Sequence, residues 1–270
     1  MMCRYEGAGI YRHVYLVATS QTHIDQDGVF APAEITGAVH TALSTKGLTG
    51  PAAGLTADAI VHASAVVVSA GATEAAAVTV SFKLYDGNTE VARGSSISLA
   101  TNVASTFHNA SLSVIGAKLW SIRSPSLYTL VSTVTDGAGN ELDVVNTSIG
   151  IRSLKYSGQD GMFINNEHVK VRGFCDHESW GGVGMAVPDR VALFRAQASR
   201  SVGGNGRRSS HNPAHPIILD IYDRVGMVVM DENRLYKNDS SDINAMAEMV
   251  QRDRNHPSVT IWSFCNEGAL

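Results

Sequence analysis

The middle of the chain alternates apolar and polar residues over runs that have the length of a β-strand. Runs of this kind, two of them followed by Asp-Gly turn signals, lie at residues 60–68, 77–85 and 127–134. Because side chains of a strand point alternately to its two faces, a period of two predicts strands with one buried face. Several such strands separated by tight turns indicate a β-sandwich, which we place at residues 28–152.

Beyond residue 153 the pattern changes, and short apolar runs alternate with helical patterns. A hairpin leading into a first strand is predicted at 162–174, further strands at 202–205, 227–230 and 259–267, and helices beginning at Pro188, Pro216 and Ser241 or Asp242. We expect the first helix to bury Val191, Phe194 and Ala198. Alternating strands and helices are typical of a parallel sheet. The four predicted strands are half of those that a closed (β/α)8 barrel requires.

The first residues of the chain show few patterns that predict secondary structure. Residues 11–17 alternate as a half-buried strand would, but no neighbouring run supplies a partner. We treat residues 1–27 as a separate segment.

Composition excludes several classes of protein. The chain has 270 residues, of which 44% are hydrophobic, and this is enough for one large or two ordinary domains. A net charge of −4 with scattered basic residues argues against binding to nucleic acid or to an anionic membrane surface. There is no apolar run long enough to span a membrane and no signal-peptide pattern at the start, so a cytoplasmic location is the default expectation. Three isolated cysteines predict neither a zinc site nor a disulfide framework.

Candidate chemistry lies at the end of the last predicted strand, which delivers Asn266 and Glu267. In a parallel barrel the carboxyl ends of the strands form the catalytic face. On this spacing alone, a glutamate at a strand end is more often a surface or salt-bridged residue than a catalytic one.

The surrounding residues carry a family resemblance. The run DRNHPS at 253–258, followed by Trp262-Ser263 and Asn266-Glu267, resembles the acid/base signature of glycoside hydrolase family 2, which contains β-galactosidases, β-glucuronidases and β-mannosidases. Residues 119–128 resemble the immunoglobulin-like domain of that family, and residues 7–12 resemble the last strand of its jelly-roll sugar-binding domain. The resemblance implies a remnant of the jelly roll at 1–27, an immunoglobulin-like β-sandwich at 28–152 and a partial TIM-barrel catalytic domain at 153–270.

The resemblance also implies roles for individual residues. Glu267 matches the catalytic acid/base, and Asn266 matches the residue that hydrogen-bonds the sugar's 2-hydroxyl group. His177 matches a residue that faces the sugar, although Cys175 stands where the family usually has asparagine. Three further positions complete the implied substrate-binding shell: Arg208, His211 and Asp231. Asp231 opens the block Asp231-Glu232-Asn233, which matches an Asp-Glu block that usually supports the site in that family. The alternatives are a His177 satisfied by loop carbonyls, ordinary loop polar residues at 208 and 211, and a structural salt bridge at 231.

Neither a metal nor another cofactor is expected. Metal-dependent β-galactosidases carry magnesium ligands shortly after the Asp-Glu block, where this chain has residues 234–238 with the sequence RLYKN. These residues do not form the oxygen-rich cluster that Mg²⁺ prefers.

The sequence therefore predicts a retaining β-glycosidase, β-galactosidase-like, that hydrolyses terminal β-glycosidic bonds. Retention requires a second carboxylate as nucleophile, and the resemblance places it on a later strand beyond this chain. We therefore expect a truncated member that is inactive alone, with a carbohydrate substrate and with self-association or a complementing C-terminal half as its partner. The alternative is a non-catalytic carbohydrate-binding or assembly module. The sequence leaves the sugar and the oligomeric state open.

Overall fold

A computed structural model describes residues 9–41, 54–69, 77–98, 105–234 and 239–266. They divide into two compact units, one formed by residues 17–169 and the other by the described residues of 170–270 together with those of 1–16. Among the described residues, helices are too short and too polar to cross a membrane.

The first unit is built from antiparallel strands: β1 (Thr22–Phe30), β2 (Ala33–Ile35), β3 (His40–Thr41), β4 (Leu55–Ser69), β5 (Val78–Asp86), β6 (Thr89–Ser98), β7 (Ser105–Lys118), β8 (Tyr128–Asp136), β9 (Glu141–Ile149), β10 (Leu154–Ser157), β11 (Gly161–Ile164) and β12 (Glu167–Val169). One sheet has the order β1-β4-β2, with β3 and β7 also paired to β4, and a second has the order β6-β5-β8-β9. The predicted β-sandwich is confirmed.

The alternating pattern explains the core of the sandwich. Along β4 and β5 every second residue is buried, and Val61, Val80 and Phe82 are fully enclosed. The predicted turn after β5 is confirmed, with Gly87 at φ +59°, a conformation that glycine adopts without steric cost. Strand β1 begins at Thr22 and pairs with β4, so residues 22–27 of the predicted N-terminal segment lie in the sandwich.

The second unit is a parallel sheet with helices between its strands. Its elements are β13 (Gly173–His177), α1 (Asp189–Ser201), β14 (Gly206–Ser210), α2 (Pro216–Val225), β15 (Val228–Glu232), α3 (Ser240–Asp253) and β16 (Val259–Ser263). The sheet has the order β13-β14-β15-β16 with every pair parallel. This is the strand order of the first half of a (β/α)8 barrel, as predicted.

The position of the second parallel strand was predicted wrongly. Helix α1 ends at Ser201, residues 202–203 form a turn with Gly203 at φ +88°, and the strand is β14. Its sequence, GRRSS, is polar, but the strand is largely buried, because its polar side chains form hydrogen bonds and ion pairs within the unit. Gly173 and Gly206 pair at the start of β13 and β14, where a Cβ on Gly173 would overlap the Gly206 carbonyl.

Two helix details also differ from prediction. Helix α1 buries Ala192 and Ala196, whereas Phe194 is largely exposed, because the helix packs closely through its small residues. Helix α3 is capped by Asp239, whose side chain accepts a hydrogen bond from the Asp242 backbone, and not by Ser241 or Asp242. Helix α2 matches the prediction and ends at Gly226 in the left-handed conformation.

Residues 11–17 do not form the predicted strand, because none of the described strands pairs with them. Polar contacts hold this segment instead. Arg12 Nη2 donates to Glu178 Oε2 at 3.0 Å and to the Pro213 carbonyl at 2.8 Å, and His13 Nε2 lies 3.1 Å from Asp189 Oδ1.

Candidate active site

Alternation along β14 sorts its two arginines onto opposite faces of the parallel sheet. Arg207 is buried against the helices, where its guanidinium lies over the Tyr222 ring and its Nη1 is 3.4 Å from Asp176 Oδ2. The buried charge of Arg207 thus has a charged partner on β13. Arg208 points to the other face, toward the end of β16.

Arg208 connects three segments through its guanidinium group. Its Nε donates to Glu232 Oε2 at 2.6 Å, and its Nη2 donates to Asn266 Oδ1 at 2.8 Å. Its Nη1 lies 3.5 Å from Cys175 Sγ. Hydrogen bonds to Cys175 and Glu232 raise the pKa of Arg208 above its usual value, so it stays charged.

Glu232 is the acceptor at the centre of this group and is fully buried. Besides Arg208, it accepts from Ser263 Oγ at 3.3 Å, and its Oε1 lies 2.8 Å from His211 Nδ1, a distance that fits an Nδ1–H donor. Three donors around one buried carboxylate satisfy its charge and fix its orientation. The sequence predictions did not select Glu232 as a site residue. The two-residue period of the strand was the available signal, since it places Glu232 and Asp231 on opposite faces.

His177 is the second imidazole of the site. Its ring meets that of His211 edge-on, with centroids 5.0 Å apart. Burial, together with electrostatic interactions with His211 and the nearby arginines, lowers the pKa of His177. His177 is therefore an uncharged group at neutral pH, able to donate or accept one hydrogen bond.

The structure does not bring Asp231 to this group. Its Oδ1 accepts from Ser209 Oγ and from the Ala214 backbone, both at 3.0 Å, on the helix-facing side of the sheet. Arg208, His211, His177 and Asn266 do lie together. Glu267, the predicted acid/base, lies outside the described residues and directly follows Asn266 in the chain.

One cluster has the composition of a cation site. Ligand atoms of Asp220, Asp223 and His256 lie within 4.8 Å of one another. Asp223 Oδ2 is 2.6 Å from His256 Nδ1, however, and its Oδ1 accepts from the Ser258 backbone. Although burial lowers it, the hydrogen bond and charge of Asp223 raise the pKa of His256 overall, so this cluster fits a buried ion pair.

Comparison with known proteins relates both units to one family. The family model described as glycosyl hydrolases family 2 matches residues 52–152, and the model of the TIM barrel domain of the same family matches 158–242 and 236–270. Among curated proteins, the β-galactosidase BoGH2A of Bacteroides ovatus is 32% identical, over 97% of this chain and 30% of that protein. A β-glucuronidase of Formosa agariphila, described as putative, is 33% identical over 69% of this chain and 19% of its own length.

Solved structures agree. A glycosyl hydrolase family 2 member from Bacteroides cellulosilyticus superposes with a TM-score of 0.85 at 31% identity, covering 98% of this chain and 34% of that one. A β-glycosidase from Bacteroides vulgatus gives a TM-score of 0.81 at 27% identity, covering 98% of this chain and 32% of its own. The chain spans about a third of the length of three of these relatives and about a fifth of the Formosa agariphila protein. From its sandwich to its parallel sheet, the chain belongs to glycosyl hydrolases family 2.

Proposed function

We propose that this chain carries the acid/base side of a retaining β-glycosidase active site, with Glu267 as the proton donor. The observation that carries the proposal is the Arg208 guanidinium, which holds Glu232 at 2.6 Å and Asn266 at 2.8 Å. These two hydrogen bonds connect the ends of β14 and β15 to Asn266, the residue immediately before Glu267. Relatives described as β-galactosidase and β-glycosidase support the same reaction class.

The orientation of Asn266 fits a sugar-binding role. Its Oδ1 accepts from Arg208, so its amide nitrogen is the end that can donate to a hydroxyl oxygen of the sugar. In the proposed mechanism, Asn266 binds the 2-hydroxyl group. Glu267 protonates the departing glycosidic oxygen and, in the second step, removes a proton from the attacking water.

The nucleophile of a retaining reaction is a second carboxylate about 5–5.5 Å from the acid. Glu232 is the carboxylate at the described site, but it is fully buried and its oxygens already contact Arg208, His211 and Ser263. A carboxylate held by three donors is a poor nucleophile, so we assign Glu232 to orientation of the site. Attack on the anomeric carbon then requires a carboxylate outside the described residues, and we propose that the chain alone does not complete the reaction.

A hybrid protein tests the role of Glu267. In it, this chain replaces the matching segment of the Bacteroides ovatus β-galactosidase, which supplies the rest of the barrel. Glu267→Gln should slow aryl β-galactosides with basic leaving groups by about 10²–10⁴-fold, and those with acidic leaving groups much less, because only a basic leaving oxygen needs a proton donor.

The matched control is Glu248→Gln, the same chemical change at an exposed position of α3. It should leave both classes of substrate unaffected. Equal losses for the two classes in Glu267→Gln would remove Glu267 from the acid role. A folded hybrid without any activity would favour the alternative of a non-catalytic carbohydrate-binding module.

A further inference from the structure

Two aspartates lie against each other behind the candidate site. Asp231 is near the end of β15 and Asp253 is the last residue of α3, and both are fully buried. Burial raises the pKa of Asp253, and the neighbouring Asp231 carboxyl group raises it further. Two neighbouring ionised carboxylates repel each other, and neither has a proton to donate to the other.

The hydrogen-bond partners of Asp231 leave room for one proton. Ser209 Oγ and the Ala214 backbone N–H both donate to its Oδ1. Its Oδ2 is buried and has no donor among the described residues. A buried acceptor without a donor is costly, and a proton shared with Asp253 would satisfy it.

The surrounding charges also favour a single proton on the two aspartates. Arg252 donates to Asp253 through Nε at 2.7 Å and Nη2 at 2.6 Å. From the loop after α3, His256 faces Asp253, and it is itself paired with Asp223 of α2, with Asp220 nearby. With one shared proton the two aspartates carry a single negative charge, which Arg252 balances. Without that proton, two neighbouring negative charges would be buried, which costs free energy.

This group also holds the backbone of the site. The Ala214 N–H donates to Asp231 Oδ1, and the Ala214 carbonyl accepts from Arg252 Nη2 at 2.7 Å. Ala214 lies three residues after His211, and Asp231 immediately precedes Glu232. Both segments that orient the site are therefore anchored to one pair of carboxyl groups.

We propose that Asp231 and Asp253 share one proton and that this acid–carboxylate pair positions the strand end carrying Glu232 and the loop carrying His211. The inference concerns the folded chain and is independent of the reaction proposed above. Asp231 and Asp253 are positioning residues, since they act on the site through Glu232 and Ala214.

The pair gives stability a defined dependence on pH. Burial, reinforced by the adjacent Asp231, raises the pKa of Asp253 to about 7, whereas an aspartate in an unfolded chain titrates near pH 4. The folded state therefore binds one more proton than the unfolded state between these values. The stability from this proton is complete below about pH 4, is lost as pH rises toward 7 and does not change further above it. In an ordinary Arg–Asp ion pair the pKa of the aspartate is lowered, so the stability that the pair contributes is lost as pH falls and not as it rises.

The test compares the full chain with Asp253→Asn, whose amide can donate to Asp231 Oδ2 at every pH. Unfolding by denaturant between pH 4 and pH 9 gives the folding constant of each protein. The ratio of the wild-type constant to that of the variant should fall by about tenfold per pH unit up to about pH 7 and then level off. A ratio that stays constant or rises with pH would overturn the proposal.

Two measurements on the folded chain do not depend on the stability of a variant. Infrared spectra with isotope-labelled aspartate should show a protonated carboxyl group at pH 6 that is gone by pH 9; its absence at pH 6 would refute the shared proton. In hydrogen exchange, the protection factor of the Ala214 amide should fall through pH 7, while that of the Gly226 amide, bonded to the Tyr222 carbonyl, stays constant. Equal behaviour of the two amides would refute the positioning role.

Discussion

Arg208 holds the candidate site together because one planar group reaches two partners at once. Its Nε donates to Glu232, at the end of β15, and its Nη2 donates to Asn266, which follows β16. A lysine ammonium has the same charge but lacks the fixed geometry of the guanidinium group.

Arg208→Lys should therefore lower kcat/KM of the hybrid by about a hundredfold, the order expected when a catalytic group is displaced by about 1 Å. The control is Arg190→Lys at an exposed position of α1, which should be neutral. Steady-state kinetics of the two variants measures the difference. Activity within twofold of the parent for Arg208→Lys would contradict the role given to this side chain.

The sequence predicted part of this site at the level of single residues. Arg208, His211 and Asn266 were grouped from their motifs, and the structure places them within one set of contacts. Glu232 was missed because its neighbour Asp231 matched the same block, and only strand alternation separates the two. The partner of Arg207 could not be predicted locally, since Asp176 lies on another strand.

At the level of elements, alternation and turn signals predicted the sandwich strands well, because each strand there has one buried face. The parallel strands were harder, because β14 is polar in sequence and buried in structure. For α1 the largest apolar residues were expected inside, yet alanines form the contact surface. Neither the burial of β14 nor the alanine surface of α1 can be derived from the element alone, since each depends on the residues of the neighbouring elements.

One hydrogen bond in the sandwich gives an element-level prediction. The Lys118 backbone N–H, at the end of β7, donates to the Tyr128 hydroxyl oxygen at 2.7 Å. Burial raises the pKa of Tyr128 to about 12, so the hydroxyl remains neutral under ordinary conditions. Tyr128→Phe should reduce the free energy of unfolding by about 1–3 kcal/mol, because the donor loses its partner.

Denaturant unfolding of the full chain measures this effect. Tyr85→Phe is the matched control, since its hydroxyl contact with Glu90 is long at 3.4 Å, and it should cost clearly less. If both changes cost the same, the Tyr128 hydroxyl does not stabilise the end of β7.

At the level of the whole molecule, the order of a sandwich followed by a half barrel was predictable, because the period of the apolar pattern changes once along the chain. The comparisons confirm this order. The boundaries at 27 and 152, self-association and the nature of the sugar stay predictions. The sugar contact proposed for Asn266 does not select the sugar, since a 2-hydroxyl group is common to many β-glycosides.

We propose that this chain supplies the acid/base side of the site and that the attacking carboxylate lies outside the described residues. The most direct measurement compares hydrolysis of one aryl β-galactoside by the isolated 270-residue chain and by the hybrid. We predict no turnover by the isolated chain and turnover by the hybrid that Glu267→Gln reduces. Turnover by the purified isolated chain that disappears in Glu267→Gln would contradict the claim.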